Sequence, residues 1–343
     1  MVEGTISNGK LKKKVTFSTK IPKRKDDPIP TKKYNGSKSF WPLSLRSQLF
    51  LPYFDTKPKH GLTAFDSNDD VRILGKGHFG TVFVHDSTNQ DNNNQMAVKV
   101  LKKSLIIREN AIVQIIQEIR IHSVCSGLPN VLPFLGAWQD QCNLYVSSRL
   151  CTNGNLAGLM NSRKSKPISS PAVKMAAYQI HSGLQAIHNL GVIFRDIKLK
   201  NILISESGDL AISDFGLAKW LNRHQRTYTI CGTLAFMAPE VALGQPYQHS
   251  VDLWSLGMVL FCLAFGRLPY PNAKDHDQLA EMQKDVEAIK ISHEESEIEE
   301  LIRNLLQWDE NQRNFQLKDE ASFLDPFRKG PSFLQTLTEN IEK

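Results

Sequence analysis

The stretch Ile193-Phe194-Arg195-Asp196-Ile197-Lys198-Leu199-Lys200-Asn201 decides the fold, because it places three complementary polar groups within six residues. Transfer of a phosphoryl group to a hydroxyl needs a carboxylate to orient the hydroxyl and accept its proton, a cation on the γ-phosphate and a metal ligand. Asp196, Lys198 and Asn201 supply these groups directly before an apolar segment, 202–205, that predicts a strand. The stretch therefore predicts Asp196 and Lys198 as catalytic residues.

A second motif, Asp214-Phe215-Gly216, begins thirteen residues after Asn201. By itself such a tripeptide is expected by chance in many chains. Following the 193–201 stretch at this spacing, it predicts a magnesium site in which Asn201 and Asp214 hold Mg²⁺ against the phosphates of a nucleotide.

A glycine-rich segment lies further upstream, Gly75-Lys76-Gly77-His78-Phe79-Gly80-Thr81-Val82. Glycines let the backbone approach phosphates where any Cβ would intrude. The same pattern occurs in dinucleotide-binding folds and in plain glycine turns. A dinucleotide fold would begin a helix here, whereas residues 81–84 predict a strand, which favours a phosphate-covering loop between strands.

A single lysine stands in the apolar run Ala97-Val98-Lys99-Val100. An edge lysine that extends its ammonium group into solvent is the alternative. We favour a phosphate-binding lysine held by Glu118, which lies 19 residues further on in a helix predicted over 111–124.

Over residues 71–328 the chain resembles the eukaryotic protein kinases, since the glycine-rich loop, strand lysine, 193–201 stretch, D-F-G and Ala238-Pro239-Glu240 occur in the family's order. The resemblance implies an α+β, bilobal fold with a small β-rich N-lobe, a larger helical C-lobe and MgATP in the cleft. It also implies that Lys198 marks a serine/threonine kinase. The structural positions it implies are Glu240, Asp252 and Arg313, and the ATP-binding positions are Gly75, Lys76, Gly77, His78, Phe79, Gly80, Val82, Ala97, Lys99 and Glu118.

Within that family the segment Thr229-Ile230-Cys231-Gly232-Thr233 resembles the AGC group, and most closely its ribosomal-protein-S-kinase-related branch. The resemblance implies an upstream activating kinase that phosphorylates Thr229, with the phosphate paired to Arg195 and Lys219. Thr233 is expected in the substrate-binding loop.

Four positions depart from the group's usual pattern. Carboxylates that read substrate arginines are replaced by Asn155, Lys200 and Cys262, so we expect protein substrates with a Ser or Thr acceptor that are not strongly Arg-directed. The position behind the adenine pocket is Ser148, whose small side chain should leave that pocket open.

The sequence as a whole predicts four regions: a disordered basic tail over 1–40, an aromatic leader over 41–70, the kinase domain over 71–328 and a C-terminal extension over 329–343. The tail holds eleven Lys and Arg against three acidic residues, while the whole chain of 343 residues has a net charge of +7. The kinase domain is thus close to neutral, and we expect no nucleic-acid binding by it.

Two short segments suggest partners. Val15 and Phe17 fit a docking peptide for protein phosphatase type 1, although a chance match is favoured. The aromatic segment Phe50 to Phe54 would replace a C-terminal hydrophobic motif on the N-lobe, with ordinary packing of a leader as the alternative. Five cysteines without CxxC spacing favour reduced thiols in an intracellular protein, cytoplasmic with nuclear entry as an alternative.

Two other classes of function compete with catalysis. A pseudokinase would be a folded interaction module, but it usually lacks a phosphate-binding lysine, catalytic aspartate or metal ligand, and this chain keeps all of them. The basic tail could instead tether an accessory domain to nucleic acid or membrane.

Overall fold

The computed structural model describes residues 72–86, 95–222, 224–284, 296–316 and 332–339. The basic tail, Val15, Phe17, the aromatic leader and its segment Phe50 to Phe54 lie outside these ranges. Within the ranges the protein has the predicted bilobal α+β architecture. None of the described helices is long and apolar enough to cross a membrane.

The N-lobe is built on a five-stranded antiparallel sheet with the strand order β1-β2-β3-β5-β4. The strands are β1 (Ile73–Lys76), β2 (Gly80–Asp86), β3 (Gln95–Lys102), β4 (Phe134–Gln139) and β5 (Asn143–Arg149). The central strand β3 pairs Lys99 with Val82 on one side and with Val146 on the other. This register places the lysine in the middle of the sheet.

The described part of the N-lobe also contains two helices, α1 (Lys103–Arg108) and α2 (Ile112–Cys125). The apolar positions Ile115, Ile116 and Ile119 recur at helical spacing and are buried, which confirms the helix predicted over 111–124. Helix α2 packs with β3 and β5 around Leu101 and Leu144, so the helix that carries Glu118 is held by an apolar cluster.

The C-lobe is mainly helical. The helices among its described residues are α3 (Leu156–Ser162), α4 (Ser170–Asn189), α5 (Pro239–Ala242), α6 (Ser250–Phe265), α7 (His276–Lys284), α8 (Glu297–Leu305) and α9 (Phe333–Glu339). Helix α6 is apolar around its circumference and forms the centre of the core, with Trp254 fully buried. The C-lobe also contains two short antiparallel pairs, β6 (Val192–Ile193) with β9 (Lys219–Trp220) and β7 (Ile202–Ile204) with β8 (Leu210–Ile212).

Helix α9 adds to this core from the C-terminal extension. Phe333 is fully buried and Leu337 is nearly so, and both belong to the main C-lobe cluster. The backbone N–H of Leu334 donates to the carbonyl of Gly208 at 3.0 Å. The extension predicted for 329–343 therefore contains a helix that packs as part of the C-lobe.

Candidate active site

The 193–201 stretch forms a loop between β6 and β7, and its polar groups converge on Asp196. The Asp196 carboxylate accepts hydrogen bonds from Lys198 Nζ at 2.7 Å, Asn201 Nδ2 at 2.9 Å and Thr233 Oγ1 at 2.9 Å. Lys198 Nζ also donates to Thr233 Oγ1 at 2.9 Å. Asp196 is buried, so these bonds compensate for the loss of solvent around its charge. Sequence reasoning placed Thr233 nearby but did not foresee that its hydroxyl closes this cluster.

The loop is held in place by Asp252 on helix α6. The Asp252 carboxylate is fully buried and accepts hydrogen bonds from the backbone N–H groups of Phe194 at 2.9 Å and Arg195 at 2.7 Å. His188 Nε2 lies 2.8 Å from the same carboxylate. Arg195 has a φ of 73°, a left-handed conformation that is unfavourable for a residue with a side chain. The bonds to Asp252 hold the chain in that conformation immediately before Asp196.

Lys99 and Glu118 are in contact across the N-lobe, with Lys99 Nζ donating to Glu118 Oε1 at 2.8 Å. Burial by itself lowers the pKa of Lys99, but the carboxylates of Glu118 and Asp214 outweigh it, and the pKa lies above its ordinary value. Lys99 is therefore a cation at neutral pH. A cation held beside two carboxylates at the cleft is suited to pairing with phosphate oxygens.

Asp214 follows β8 and also has a left-handed backbone, with a φ of 68°. Its side chain is exposed toward solvent, whereas the next residue, Phe215, is buried. Helix α2 contacts the same motif through Gln114, whose Nε2 donates to the carbonyl of Gly216 at 3.2 Å. The D-F-G segment is thus linked to the helix that carries Glu118.

Four rings form a continuous column through this region, which we call the aromatic column: Phe194, Phe215, His122 and Phe134. Phe194 meets Phe215 edge-on at 5.2 Å, Phe215 stacks on His122 at 4.9 Å, and His122 meets Phe134 edge-on at 5.3 Å. His122 Nε2 lies 2.8 Å from the carbonyl oxygen of Leu132, and burial lowers the pKa of this imidazole. The column connects the catalytic loop, the D-F-G segment, α2 and β4. Sequence reasoning missed it, although His122 lies one helical turn from Glu118.

The glycine-rich loop connects β1 and β2. The backbone N–H of Gly77 donates to the carbonyl of Gly80 at 2.8 Å, which closes a tight turn. A Cβ at Gly75 would meet nothing within 4 Å, and one at Gly77 would make only ordinary contact at 3.7 Å. The space above these two glycines is therefore open to a phosphate group.

The donor set fits a magnesium ion that is shared with a nucleotide. The Asn201 amide nitrogen makes both of the residue's bonds to Asp196, which leaves the amide oxygen for a cation, and Asp214 offers a carboxylate. Among the described residues there is no group of three His, Cys, Asp or Glu side chains arranged to hold a metal alone. Magnesium commonly binds through one or two protein oxygens together with substrate phosphates and water.

The predicted phosphosite, Thr229, is exposed in the segment before Thr233. Its carbonyl accepts a hydrogen bond from the Tyr247 hydroxyl at 2.5 Å, and Arg195 Nη1 donates to the same hydroxyl at 3.3 Å. Lys219 Nζ, however, donates to Thr227 Oγ1 at 3.1 Å. Arg195 is therefore linked to Thr229 through the Tyr247 hydroxyl, whereas Lys219 donates to Thr227, two residues before Thr229.

The remaining predicted positions lie as follows. Glu240 and Arg313 form a buried bidentate ion pair, with Nη1–Oε1 at 2.5 Å and Nη2–Oε2 at 2.7 Å. Asn155 accepts from the backbone N–H of Gly158 at 2.9 Å and caps α3. Ser148 pairs with Ala97 across β5 and β3. A serine at this position leaves unfilled the volume that a larger side chain would occupy.

Comparison with known proteins agrees with this geometry. The family model described as protein kinase domain matches residues 69–316. A human ribosomal protein S6 kinase-related protein is 34% identical over 75% of this chain and 59% of its own length. A putative serine/threonine-protein kinase of Caenorhabditis elegans is 36% identical over 66% of this chain and 50% of its own length. The cAMP-dependent protein kinase type 3 of Saccharomyces cerevisiae is 34% identical over 65% of this chain and 54% of its own length.

The chain thus spans between 50% and 59% of the length of these three relatives. The names of the relatives agree with the predicted resemblance to AGC kinases and to the ribosomal-protein-S-kinase-related branch. A kinase-domain match over most of the chain, together with the bilobal fold, establishes the family. The chain belongs to the protein kinase family, and its domain is of the serine/threonine kind.

Proposed function

We propose that this protein is an active serine/threonine kinase that transfers the γ-phosphoryl group of MgATP to Ser or Thr of protein substrates. The observation that carries the proposal is the hydrogen-bonded cluster of Asp196, Lys198, Asn201 and Thr233. A folded module without turnover would not need a buried carboxylate surrounded by a cation, an amide and a hydroxyl.

Each residue of the cluster has a distinct task in this proposal. The Asp196 carboxylate orients the acceptor hydroxyl and accepts its proton as the oxygen–phosphorus bond forms. Lys198 stabilises negative charge on the transferred group, and its bonds to Asp196 and Thr233 keep its ammonium group beside the reaction. Lys99, fixed by Glu118, binds the nucleotide phosphates.

Asn201 and Asp214 would hold Mg²⁺. When bound, the ion neutralises charge on the β- and γ-phosphates and favours departure of the nucleoside diphosphate. The open space next to Gly75 and Gly77 would admit the phosphates.

The proposal is tested by phosphoryl transfer from labelled ATP to a serine peptide array. We expect wild-type protein to label peptides and Asp196→Asn to lose at least about a hundredfold in kcat, because the general base contributes roughly that much or more. Asp277→Asn, which changes an exposed aspartate on α7, is the matched control and should retain activity. Nucleotide binding without label transfer by the wild-type protein would support the pseudokinase alternative instead.

Regulation by phosphorylation of Thr229 is a further part of the proposal. A phosphate there would add close to two negative charges near Arg195, whose guanidinium already bonds to Tyr247. The phosphate would also compete with Thr227 for Lys219. We expect a stoichiometrically phosphorylated protein to have a higher kcat than Thr229→Ala, and phosphosite mapping by mass spectrometry to identify Thr229. Equal kcat for the two forms would contradict this regulation.

Other properties of the whole protein belong to the same proposal. We expect an upstream kinase for Thr229, an intracellular location that is cytoplasmic or nuclear, and substrates that are not selected for arginine. Imaging of a fluorescent fusion with and without residues 1–40 would test the location. Binding of phosphatase type 1 to wild-type protein but not to Val15→Ala/Phe17→Ala would test the docking peptide.

A further inference from the structure

A cavity of about 390 Å³ opens on the C-lobe beside the catalytic cluster. Its wall includes Lys198, so the cavity begins one side chain away from Asp196, which Lys198 contacts at 2.7 Å. A chain rises about 3.3 Å per residue when it is extended. A peptide whose hydroxyl lies at Asp196 therefore reaches this cavity within a few residues.

The described residues that line the cavity include three cationic side chains: Lys198, Lys200 and Arg267. Lys198 is engaged by Asp196 and Thr233, whereas Lys200 is exposed. The Arg267 guanidinium lies over the Phe261 ring at 5.0 Å, a contact that orients its planar group. Within the part of the chain that the structure describes, none of the lining residues is acidic.

The remaining wall is apolar or neutral. Met160, Phe236 and Cys262 contribute to it, and Cys262 is almost fully buried. Burial raises the pKa of the Cys262 thiol to about 12, so the thiol is uncharged at neutral pH. A cationic substrate side chain in this cavity would be repelled by the like charge of Lys200.

We infer that this cavity binds an anionic substrate side chain near the phosphoacceptor, recognised by Lys200 and Arg267. The ligand chemistry is a carboxylate or a phosphate on a side chain: Asp or Glu, or an already phosphorylated Ser or Thr. The planar guanidinium can bind either group with two hydrogen bonds, and the lysine adds a point charge. This inference rests on the proposed kinase activity and specifies its substrate class.

The test uses full-length protein and serine peptides in which each position from five before to four after the acceptor is Ala, Glu, phosphoserine or Arg in turn. We expect one position at which Glu or phosphoserine raises kcat/KM about tenfold over Ala, as for a charge-assisted contact worth about 1.4 kcal/mol. The two anionic series distinguish a preference for acidic residues from a requirement for prior phosphorylation.

Charge reversal identifies the residues responsible. Lys200→Glu and Arg267→Glu should each lower the ratio of kcat/KM for the anionic peptide to that for the alanine peptide, and the double variant should favour Arg at that position. Arg303→Glu, an exposed cation on α8 that does not line the cavity, is the matched control and should keep the wild-type ratio.

Binding is measured in parallel with fluorescent peptides in which the acceptor serine is alanine, so that the inference remains testable without turnover. Tighter binding of the anionic peptide than of the alanine peptide, lost in the double variant, would support the inference even if catalysis failed. Phosphoryl transfer with no preference for Glu or phosphoserine, or a preference unchanged in the double variant, would overturn it and leave the proposed kinase activity intact.

Discussion

Two glycines of the glycine-rich loop, Gly77 and Gly80, have different surroundings. We therefore expect one to matter for nucleotide binding and the other for folding. A Cβ at Gly80 would lie 1.7 Å from the backbone oxygen of Val100 on β3, so a side chain there must move a strand. A Cβ at Gly77 would meet only ordinary contacts. Gly80 is therefore required by the sheet itself, whereas the fold alone does not require Gly77.

We predict that alanine affects a different quantity at each of these two positions. Gly77→Ala should raise the KM for ATP several-fold at nearly unchanged Tm, because its methyl group occupies the space open to phosphate. Gly80→Ala should lower the free energy of unfolding by about 1–3 kcal/mol, the usual cost of overpacking. Thermal unfolding and ATP titration of both variants check this, and an equal loss of Tm in the two would contradict it.

Ser148 supports a second prediction at the residue scale. It pairs with Ala97 on β3 and with Phe134 on β4, so its side chain lies among strands near the nucleotide lysine. We expect ATP-site inhibitors with bulky aromatic groups to bind wild-type protein about tenfold or more tightly than Ser148→Met, because methionine fills the space. Ser148→Ala is the small-residue control. Inhibition unaltered by the methionine variant would refute the open pocket.

At the scale of elements, helix α2 connects Lys99 on the N-lobe sheet to the D-F-G segment. It carries Glu118 toward Lys99, contacts Gly216 through Gln114 and places His122 in the aromatic column. Displacement of this helix would break the Lys99–Glu118 contact and, at the same time, the stacking of His122 on Phe215 in the aromatic column. The column therefore couples the packing of α2 to the nucleotide site.

His122→Ala tests that coupling. Removing the ring leaves a cavity between Phe215 and Phe134 and deprives the Leu132 carbonyl of its contact, which we expect to cost about 2–4 kcal/mol of unfolding free energy. We also expect a lower kcat, since α2 loses the ring contact between His122 and Phe215 of the D-F-G segment.

The companion variant His122→Phe keeps the column and loses only the polar contact to Leu132. It should recover most of the kcat lost by His122→Ala, which a purely destabilising role would not explain. Failure of the phenylalanine variant to recover kcat while regaining stability would argue against coupling through the column.

At the scale of the whole molecule, histidines that are buried or partly buried make stability depend on pH. Burial lowers the pKa of His181, which stacks on Phe315 at 3.7 Å, from its ordinary value of 6.5 to about 4. Burial also lowers the pKa values of His122 and His249. Since the unfolded chain binds protons at these histidines below about pH 6.5 and the folded chain does not, stability falls as pH falls through that range.

We therefore predict a Tm that is nearly constant from pH 8 to 7 and decreases from about pH 6.5 toward pH 4. His181→Phe keeps a ring on Phe315 and removes one titrating group, so its Tm should decrease less over the same interval. Differential scanning calorimetry at several pH values measures both profiles. Parallel profiles for the two proteins would show that His181 does not contribute.

Much of the fold follows from local signals in the sequence. Apolar residues at helical spacing over 111–124 predicted α2 to within one residue at each end, because this helix buries one face against the N-lobe sheet. Short elements such as α1, α3 and α5 were not predicted, since segments of four to seven residues have too few periodic positions.

The sequence by itself determined which chemical groups this protein has and in which order, because the spacing within the 193–201 stretch and D-F-G is a property of the local chain. Only the tertiary structure decided the contacts between distant segments. Asp252 binds the backbone at Arg195 from 57 residues away, Thr233 reaches Asp196 from 37 residues away, and Arg267 lines the same cavity as Lys200. Contacts at such separations depend on how whole helices pack around α6, and no local pattern encodes that packing.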